Sequence, residues 1–261
     1  MNALLRVNCS WWFGAPEYPS LLMKLIQLIT VPIALAVLCA SATPAASAAD
    51  DEGVAVAIVY DTSGSMNEPV KDKAGRSSPK YLVANRALAA IANRIQDFAT
   101  NGAAGSPRKV HAGLYVFQNG GPHAALPFGP FNGAAFTTWA RGFSAPTGGT
   151  PLGTTLNAAG RAVLNSGLTR KHVLVITDGE NTVGPVPAVT LARLQQEARL
   201  NFASLAVHFI AFDVDAKVFE GVKKLGATVV GASNESELNT QLEFILEKKI
   251  LLEEEEPAKK K

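Results

Sequence analysis

Residues 54–66 read VAVAIVYDTSGSM, an apolar run that ends abruptly in one acid and three hydroxyl side chains. Seven consecutive apolar or aromatic residues are typical of a strand that is buried on both faces of a sheet. The polar end has two interpretations. Asp61, Thr62, Ser63 and Ser65 either form an ordinary turn that leaves the strand, or they are oxygen ligands placed at its tip.

The composition indicates a globular protein. The chain has 261 residues, of which 48% are hydrophobic and 18% charged, with a formal net charge of +2. Such a chain can bury a sizeable core. Because the net charge is small and no long basic patch precedes the last three residues, we expect no nucleic-acid partner.

The N-terminal region predicts export. The apolar stretch LIQLITVPIALAVLCA (25–40) follows Met23-Lys24, and Ala46-Ser47-Ala48 fits the small-residue cleavage pattern. We therefore interpret 23–48 as a signal peptide and 1–22 as an N-terminal extension, which an over-long start would explain. The expected location is periplasmic, cell-envelope or secreted. Alternatively, residues 25–40 stay uncleaved and anchor the chain in a membrane.

Both cysteines, Cys9 and Cys39, precede the predicted cleavage position, so the mature chain would contain no disulfide and no cysteine metal site.

Apolar strands alternate with helical patterns along the rest of the chain. An Asn-Gly-Gly turn at 119–121 leads to a short extended piece whose proline favours an edge strand. We predict an α/β fold: a doubly wound, mostly parallel central sheet with helices on both faces and one antiparallel edge strand. The further strand patterns are KVHAGLYVFQ (109–118), HVLVIT (172–177), LAVHFIAF (205–212) and ATVV (227–230).

Two aspartates follow strands of this predicted sheet. Asp61 and Asp178 each come directly after an apolar strand, where doubly wound folds bind their ligands. Thr150, in PTGGTPLGTTL, stands at the start of a helix. Each feature has a simpler interpretation as a turn or a helix cap. Thr147, Thr154 and Thr155 are nearby alternatives to Thr150.

Together, and in this order, the motifs resemble the von Willebrand factor type A domain with its metal-ion-dependent adhesion site. The resemblance covers 53–250 and leaves 251–261 as a charged tail. It implies that Ser63, Ser65 and Thr150 ligate a metal directly, and that Asp61 and Asp178 do so directly or through water. Oxygen ligands suit a hard cation, so we expect Mg²⁺, with Mn²⁺ or Ca²⁺ possible.

The resemblance implies a binding module rather than an enzyme, with a partner protein that supplies an Asp or Glu carboxylate to the cation. Two alternatives are a phosphatase-like metal-dependent hydrolase on a similar sheet and a scaffold subunit of a larger envelope complex. The hydrolase needs a second acid two residues after the first, and Ser63 stands there.

Three further features receive simpler interpretations. The polar insert 67–78, which contains Lys71, Lys73 and Arg76, is expected as a solvated loop that could line the binding rim. Asp213 and Asp215 are expected as loop and helix-start residues. The histidines in the predicted strands, His111, His172 and His208, are expected in the core.

Overall fold

The computed structural model describes residues 50–101 and 108–251. The predicted N-terminal extension with Cys9, the signal peptide with Cys39, and all but the first residue of the charged tail lie outside these residues.

One six-stranded sheet forms the centre of the domain, with strand order β5-β4-β1-β6-β7-β8. The edge strand β5 runs antiparallel to β4, and all other neighbouring strands are parallel. The predicted doubly wound sheet with one antiparallel edge strand is therefore confirmed. The strands of this sheet are β1 (Asp51–Tyr60), β4 (Val110–Gln118), β5 (Gly121–Pro130), β6 (Leu168–Thr177), β7 (Ala206–Phe212) and β8 (Thr228–Ala232).

Within 50–101 and 108–251, six α-helices connect and cover the strands: α1 (Lys80–Asn101), α2 (Gly133–Gly142), α3 (Leu152–Leu164), α4 (Pro187–Leu200), α5 (Glu220–Lys223) and α6 (Glu235–Ile245). Short 3-10 turns cover Gly64–Asn67 and Ala216–Phe219, and a π-helical turn covers Leu246–Leu251. Within the residues described, no helix combines the length and apolarity that crossing a membrane requires.

Strand β1 lies in the middle of the sheet, and both of its faces are buried. Alternate residues such as Val56 and Ile58 pack in a cluster with α1 and α6, while Ala57 and Val59 pack with α3 and α4 on the opposite face. A fully buried valine or isoleucine side chain contributes about 1.5–3 kcal/mol to folding. The uninterrupted apolar run of β1 is thus the sequence pattern of a strand between two helix layers.

The chain reverses its direction across the sheet between β1 and β6. From β1 it passes to β4 and β5 on one side, and it then returns to β6 on the other side. In the β1–β6 register Tyr60 lies opposite Ile176, so the carboxyl ends of the two strands are adjacent. This is the topological switch point, where doubly wound folds bind ligands.

The polar insert is an ordered hairpin and not the expected loop. Its strands β2 (Pro69–Lys71) and β3 (Ser77–Pro79) pair antiparallel, with Lys71 opposite Ser77. The Asp72 side chain closes the turn by accepting hydrogen bonds from the backbone N–H groups of Ala74 and Arg76. Local bonding by one aspartate therefore supplies the order that composition alone did not predict.

Ion pairs fix the start of β1 at the amino end of the sheet. Asp51 pairs with Lys109 at 2.7 Å, Glu52 pairs with Arg108 at 2.6 Å, and Asp50 pairs with Lys171. Leu251, the last described residue, also lies at the amino end of the sheet, because Arg170, near the start of β6, donates a hydrogen bond to its carbonyl.

Two buried histidines stack between β6 and β7. The rings of His172 and His208 are 5.7 Å apart and nearly parallel, with Nδ1 of the first 3.4 Å from Nε2 of the second. This confirms their expected place in the core. Burial is the main cause that lowers the pKa of His172 to about 3 and that of His208 to about 4; the positive charges of Arg170, near His172, and Lys249, near His208, add to it.

We expect the domain to lose stability as the pH falls from 7 to 5. Unfolded histidine takes up a proton near pH 6.5 whereas the folded pair does not, so each histidine should contribute a loss of about 2 kcal/mol by pH 5. Urea midpoints at both pH values measure this loss. His208→Gln should roughly halve the histidine contribution, and His123→Gln on the exposed edge strand should leave the pH dependence as in the wild type. Equal pH dependence in all three proteins would contradict the assignment.

Candidate metal centre

The first of the two predicted acidic ligands, Asp61, lies directly beyond β1 and is completely buried. Its Oδ1 accepts hydrogen bonds from the backbone N–H of Ser63 at 2.8 Å and from the Ser63 hydroxyl at 2.5 Å. Its Oδ2 accepts a hydrogen bond from the Thr177 hydroxyl at 2.5 Å. The predicted loop is therefore folded around one carboxylate, which is oriented by three donors.

The second acidic ligand, Asp178, lies directly beyond β6, next to the first. The Ser65 hydroxyl donates to its Oδ1 at 2.8 Å, and the Lys80 ammonium donates to its Oδ2 at 3.2 Å. The two carboxylates are thus joined by the side chains of Ser63 and Ser65.

The oxygens of these two serines lie 3.0 Å apart. Each hydroxyl also lies within hydrogen-bond distance of a carboxylate, Ser63 of Asp61 and Ser65 of Asp178. When both hydroxyls donate their single proton to these carboxylates, their lone pairs are left to ligate a cation. Two neighbouring ligands of an octahedral ion with metal–oxygen distances of about 2.1 Å lie about 3.0 Å apart. The serine pair fits an ion of that size.

The Thr150 side chain lies on the same side of the site as Ser65. A Cβ placed on Gly179 would be 4.0 Å from the Thr150 hydroxyl and 3.9 Å from the Ser65 hydroxyl, so both oxygens border one small space. In contrast, the hydroxyls of Thr154 and Thr155 both donate to the carbonyl of Pro151.

Thr150 also does not act as the helix cap that its position before α3 suggested, since Pro151 holds the cap position and no side chain bonds there.

Backbone hydrogen bonds hold the three loops together. Gly64 N–H donates to the carbonyl of Gly148 at 3.0 Å, and Thr147 N–H donates to the carbonyl of Thr62 at 2.9 Å. Thr182 N–H donates to the carbonyl of Thr150, whose own N–H donates to the Thr182 hydroxyl. The site geometry thus depends on main-chain contacts as well as on the ligand side chains.

The electrostatics of the site favour a cation. Burial, and then the nearby charge of Asp178, raise the pKa of Asp61 to about 6 against the hydrogen bonds from Ser63 and Thr177. Burial also raises the pKa of Asp178, although the Ser65 and Lys80 contacts oppose the change. Two buried carboxylates near each other repel when both are charged, and a bound divalent ion removes that repulsion.

Lys80 is a site residue that the sequence pattern did not reveal. Its ammonium lies within 2.9 Å of Glu68, 3.2 Å of Asp178 and 3.1 Å of Asp213. Burial acts to lower the pKa of Lys80, but the hydrogen bonds to these three carboxylates outweigh it and raise that pKa above its usual range. The only available signal was a lysine four residues before Ala84, on the apolar stripe of α1.

The lysine also changes the interpretation of Asp213. This residue was expected as a loop residue, with a place on the rim of the metal site as the alternative, and it forms part of the ion-pair cluster at the site. Asp215 does begin a helical turn, as expected, by accepting a hydrogen bond from Lys217 N–H at 2.9 Å.

The donor set fits a hard cation. In the described part of the chain, no three His, Cys, Asp or Glu side chains are placed to hold a metal ion by themselves. The hydroxyl oxygens are therefore an essential part of any metal site here, and Asp61, Ser63, Ser65, Thr150 and Asp178 together offer oxygens alone. Magnesium and manganese prefer such ligands, whereas sulfur and imidazole are the ligands of softer ions.

The comparison with protein families agrees with this geometry. Residues 55–242 match the model of the von Willebrand factor type A domain. The chain therefore belongs to the von Willebrand factor type A domain family, whose members mediate protein–protein interactions. A comparison with curated protein sequences gives no match.

Several solved structures share the fold. The PilB minor pilin from Streptococcus sanguinis aligns with TM-score 0.57 and 14% identity over 76% of this chain and 61% of its own. The vWF domain of the type V pili tip protein Mfa5 from Porphyromonas gingivalis aligns with TM-score 0.53 and 15% identity over 76% of this chain and 95% of its own.

A third structure, proximal thread matrix protein 1 from the mussel byssus with a zinc-occupied MIDAS motif, aligns with TM-score 0.55 and 19% identity over 76% of this chain. The present chain spans 61% of PilB and 48% of the mussel protein. At these identities the likeness concerns the fold.

Proposed function

We propose that this domain binds a partner protein through a divalent cation, Mg²⁺ in the first instance, held by Asp61, Ser63, Ser65, Thr150 and Asp178. The observation that carries the proposal is the pair of serine oxygens 3.0 Å apart, each directed to a different buried carboxylate. The zinc-occupied MIDAS of the mussel protein, on a similar fold, supports a metal at this position.

The charge balance favours an acidic partner. Where Asp61 and Asp178 act through water, the oxygens bound directly to the divalent ion are neutral hydroxyls, so the ion keeps positive charge and an open position for a carboxylate. The protein groups around that position are rigid: Asp61 and Thr150 are buried and the loops are tied by backbone bonds. A partner Asp or Glu side chain, rather than a nucleic acid, is the ligand we expect.

Binding rather than catalysis agrees with the groups beside the first carboxylate. A phosphatase of the alternative kind needs an acid two residues after Asp61. The residue there is Ser63. Its hydroxyl donates a hydrogen bond to Asp61 and cannot replace the second carboxyl group as a general acid or base. We propose that the chain has no enzymatic activity.

The test has two stages. Isothermal calorimetry with Mg²⁺ and Mn²⁺ should show one site on the purified domain. The immobilised domain should then retain proteins in Mg²⁺ that chelator releases, and an Asp61→Asn column should not retain them. Hydrolysis of generic phosphate esters that depends on Mg²⁺ and is lost in Asp61→Asn would instead establish the alternative function.

We expect Thr150→Ala to weaken Mn²⁺ binding by roughly 10–100-fold, the range found when a supporting oxygen is removed from a metal site. Thr154→Ala is the matched control, because its hydroxyl bonds to the Pro151 carbonyl inside the helix turn. Calorimetry on both variants measures the difference. A greater loss in the Thr154 variant would show that the wrong threonine is assigned.

We also propose that the domain functions after export, with residues 23–48 removed as a signal peptide. Mass spectrometry of the exported chain should give an N-terminus near Ala49. A chain that keeps residues 25–40 would instead be held at the membrane.

A further inference from the structure

Lys80 is buried beside a proposed metal ligand. Its side chain is 3% exposed, and its ammonium contacts carboxylates from three separate parts of the fold. Glu68 follows the 3-10 turn after the Asp61 loop, Asp178 follows β6, and Asp213 follows β7. The lysine itself is the first residue of α1.

The two carboxylate oxygens of Asp178 have different hydrogen-bond donors. Oδ2 accepts a hydrogen bond from the ammonium at 3.2 Å, while Oδ1 accepts from the Ser65 hydroxyl at 2.8 Å. Only Oδ1 therefore faces the serine oxygens that border the proposed cation position. Asp178 is left with one oxygen for the ion or for a water bound to it.

The ammonium is held in this place from its far side. Asp213 accepts from it at 3.1 Å, and Asp213 is a non-glycine residue with φ of 56° in the left-handed region. Such a backbone conformation persists only where its surroundings fix it, and here the Asp213 N–H donates to the Ala232 carbonyl at 2.7 Å. The position of Lys80 is thus determined by β7 and β8 as well as by the site.

We propose that Lys80 is a specificity-determining residue that makes the site select small six-coordinate cations over Ca²⁺. Magnesium accepts one oxygen from each carboxylate in an octahedron of about 2.0–2.1 Å radius, whereas Ca²⁺ takes 6–8 oxygens at about 2.3–2.6 Å and often binds a carboxylate through both of its oxygens. By occupying Oδ2, the ammonium prevents the two-oxygen mode. This inference rests on the proposed metal site.

The experiment compares Mg²⁺ and Ca²⁺ affinities by calorimetry in the wild type and in Lys80→Met. We expect the ratio of Ca²⁺ affinity to Mg²⁺ affinity to rise about tenfold in the variant, since Asp178 regains its second oxygen. Glu68→Gln is the first control because it removes an exposed partner of Lys80 and leaves the Asp178 contact. Lys71→Met, an exposed lysine of the hairpin, is the second. Both should keep the wild-type ratio.

Lys80→Gln covers the case in which the methionine variant does not fold. Its amide is uncharged and one bond shorter than the lysine side chain, so it holds Oδ2 of Asp178 less firmly than the ammonium does, and circular dichroism verifies the fold. It should move the ratio in the same direction. A folded Lys80 variant with the wild-type ratio, or one in which both affinities fall equally, would overturn the role of Lys80. A wild-type domain that binds neither ion would overturn the metal site itself.

Discussion

Asp61→Asn should lower the affinity of the domain for Mn²⁺ by at least about 100-fold while leaving it folded. Two unit charges 4 Å apart interact by about 4 kcal/mol at the effective dielectric constant of a protein surface, and the loss of one such interaction with a divalent ion exceeds 100-fold in affinity. The asparagine has the same shape and can still accept the hydrogen bonds that Ser63 donates to Oδ1. Calorimetry with Mn²⁺ measures the change.

The same substitution should not destabilise the metal-free domain. The raised pKa of Asp61, about 6, means that its charge disfavours the folded state once the pH rises above that value. Removing the charge at pH 7.5 should therefore leave the urea midpoint equal to or above that of the wild type. Asp97→Asn, on the exposed face of α1, is the matched control and should change neither quantity. Wild-type affinity in the Asp61 variant would rule out the proposed centre.

Gly153→Ala should destabilise the domain by about 3 kcal/mol or more, at the upper end of single substitutions. A Cβ at this position would lie 1.8 Å from the carbonyl oxygen of Pro185 and 2.9 Å from its carbonyl carbon. These are backbone atoms of the loop that precedes α4, so they cannot rotate away as a side chain could. Either α3 or this loop must therefore move.

That movement would also reach the metal centre. Gly153 lies three residues after Thr150, and its N–H donates to the side chain of Asn181, in the loop that begins with Asp178. Separation of α3 from this loop should therefore weaken Mn²⁺ binding along with the fold. Gly142→Ala is the control, because no atom lies within 4 Å of its Cβ position. Urea unfolding and Mn²⁺ calorimetry on both variants give the comparison, and equal urea midpoints for the two alanine variants would refute the close-approach argument.

The sheet could be predicted because it depends on local pattern, whereas the five proposed ligands were assigned from the resemblance of three motifs to the von Willebrand factor type A domain. An apolar run long enough for a two-sided strand, followed by a polar residue, marks the carboxyl end of the strand. Parallel pairing then brings Asp61 and Asp178 together at the switch point. The edge strand β5 followed from a turn sequence and a proline, which are equally local signals.

Lys80 and Asp213 could not be predicted because their role depends on contacts far apart in the chain. A lysine at the start of a helix is usually solvated, and only the fold places three carboxylates around this one. The hairpin in the insert was missed for a different reason. Its three-residue strands are too short to show any alternation, and its order comes from the hydrogen bonds to Asp72.

Ion pairs hold Asp50, Asp51 and Glu52 at the amino end of the sheet, so they determine where the chain enters the domain relative to the proposed cation site. Both Asp50 and Leu251 lie at the amino edge of the parallel strands, and the ten residues of β1 separate that edge from Asp61 by roughly 30 Å. A support joined directly at Asp50 or Leu251 would therefore lie on the side of the domain opposite the proposed cation site.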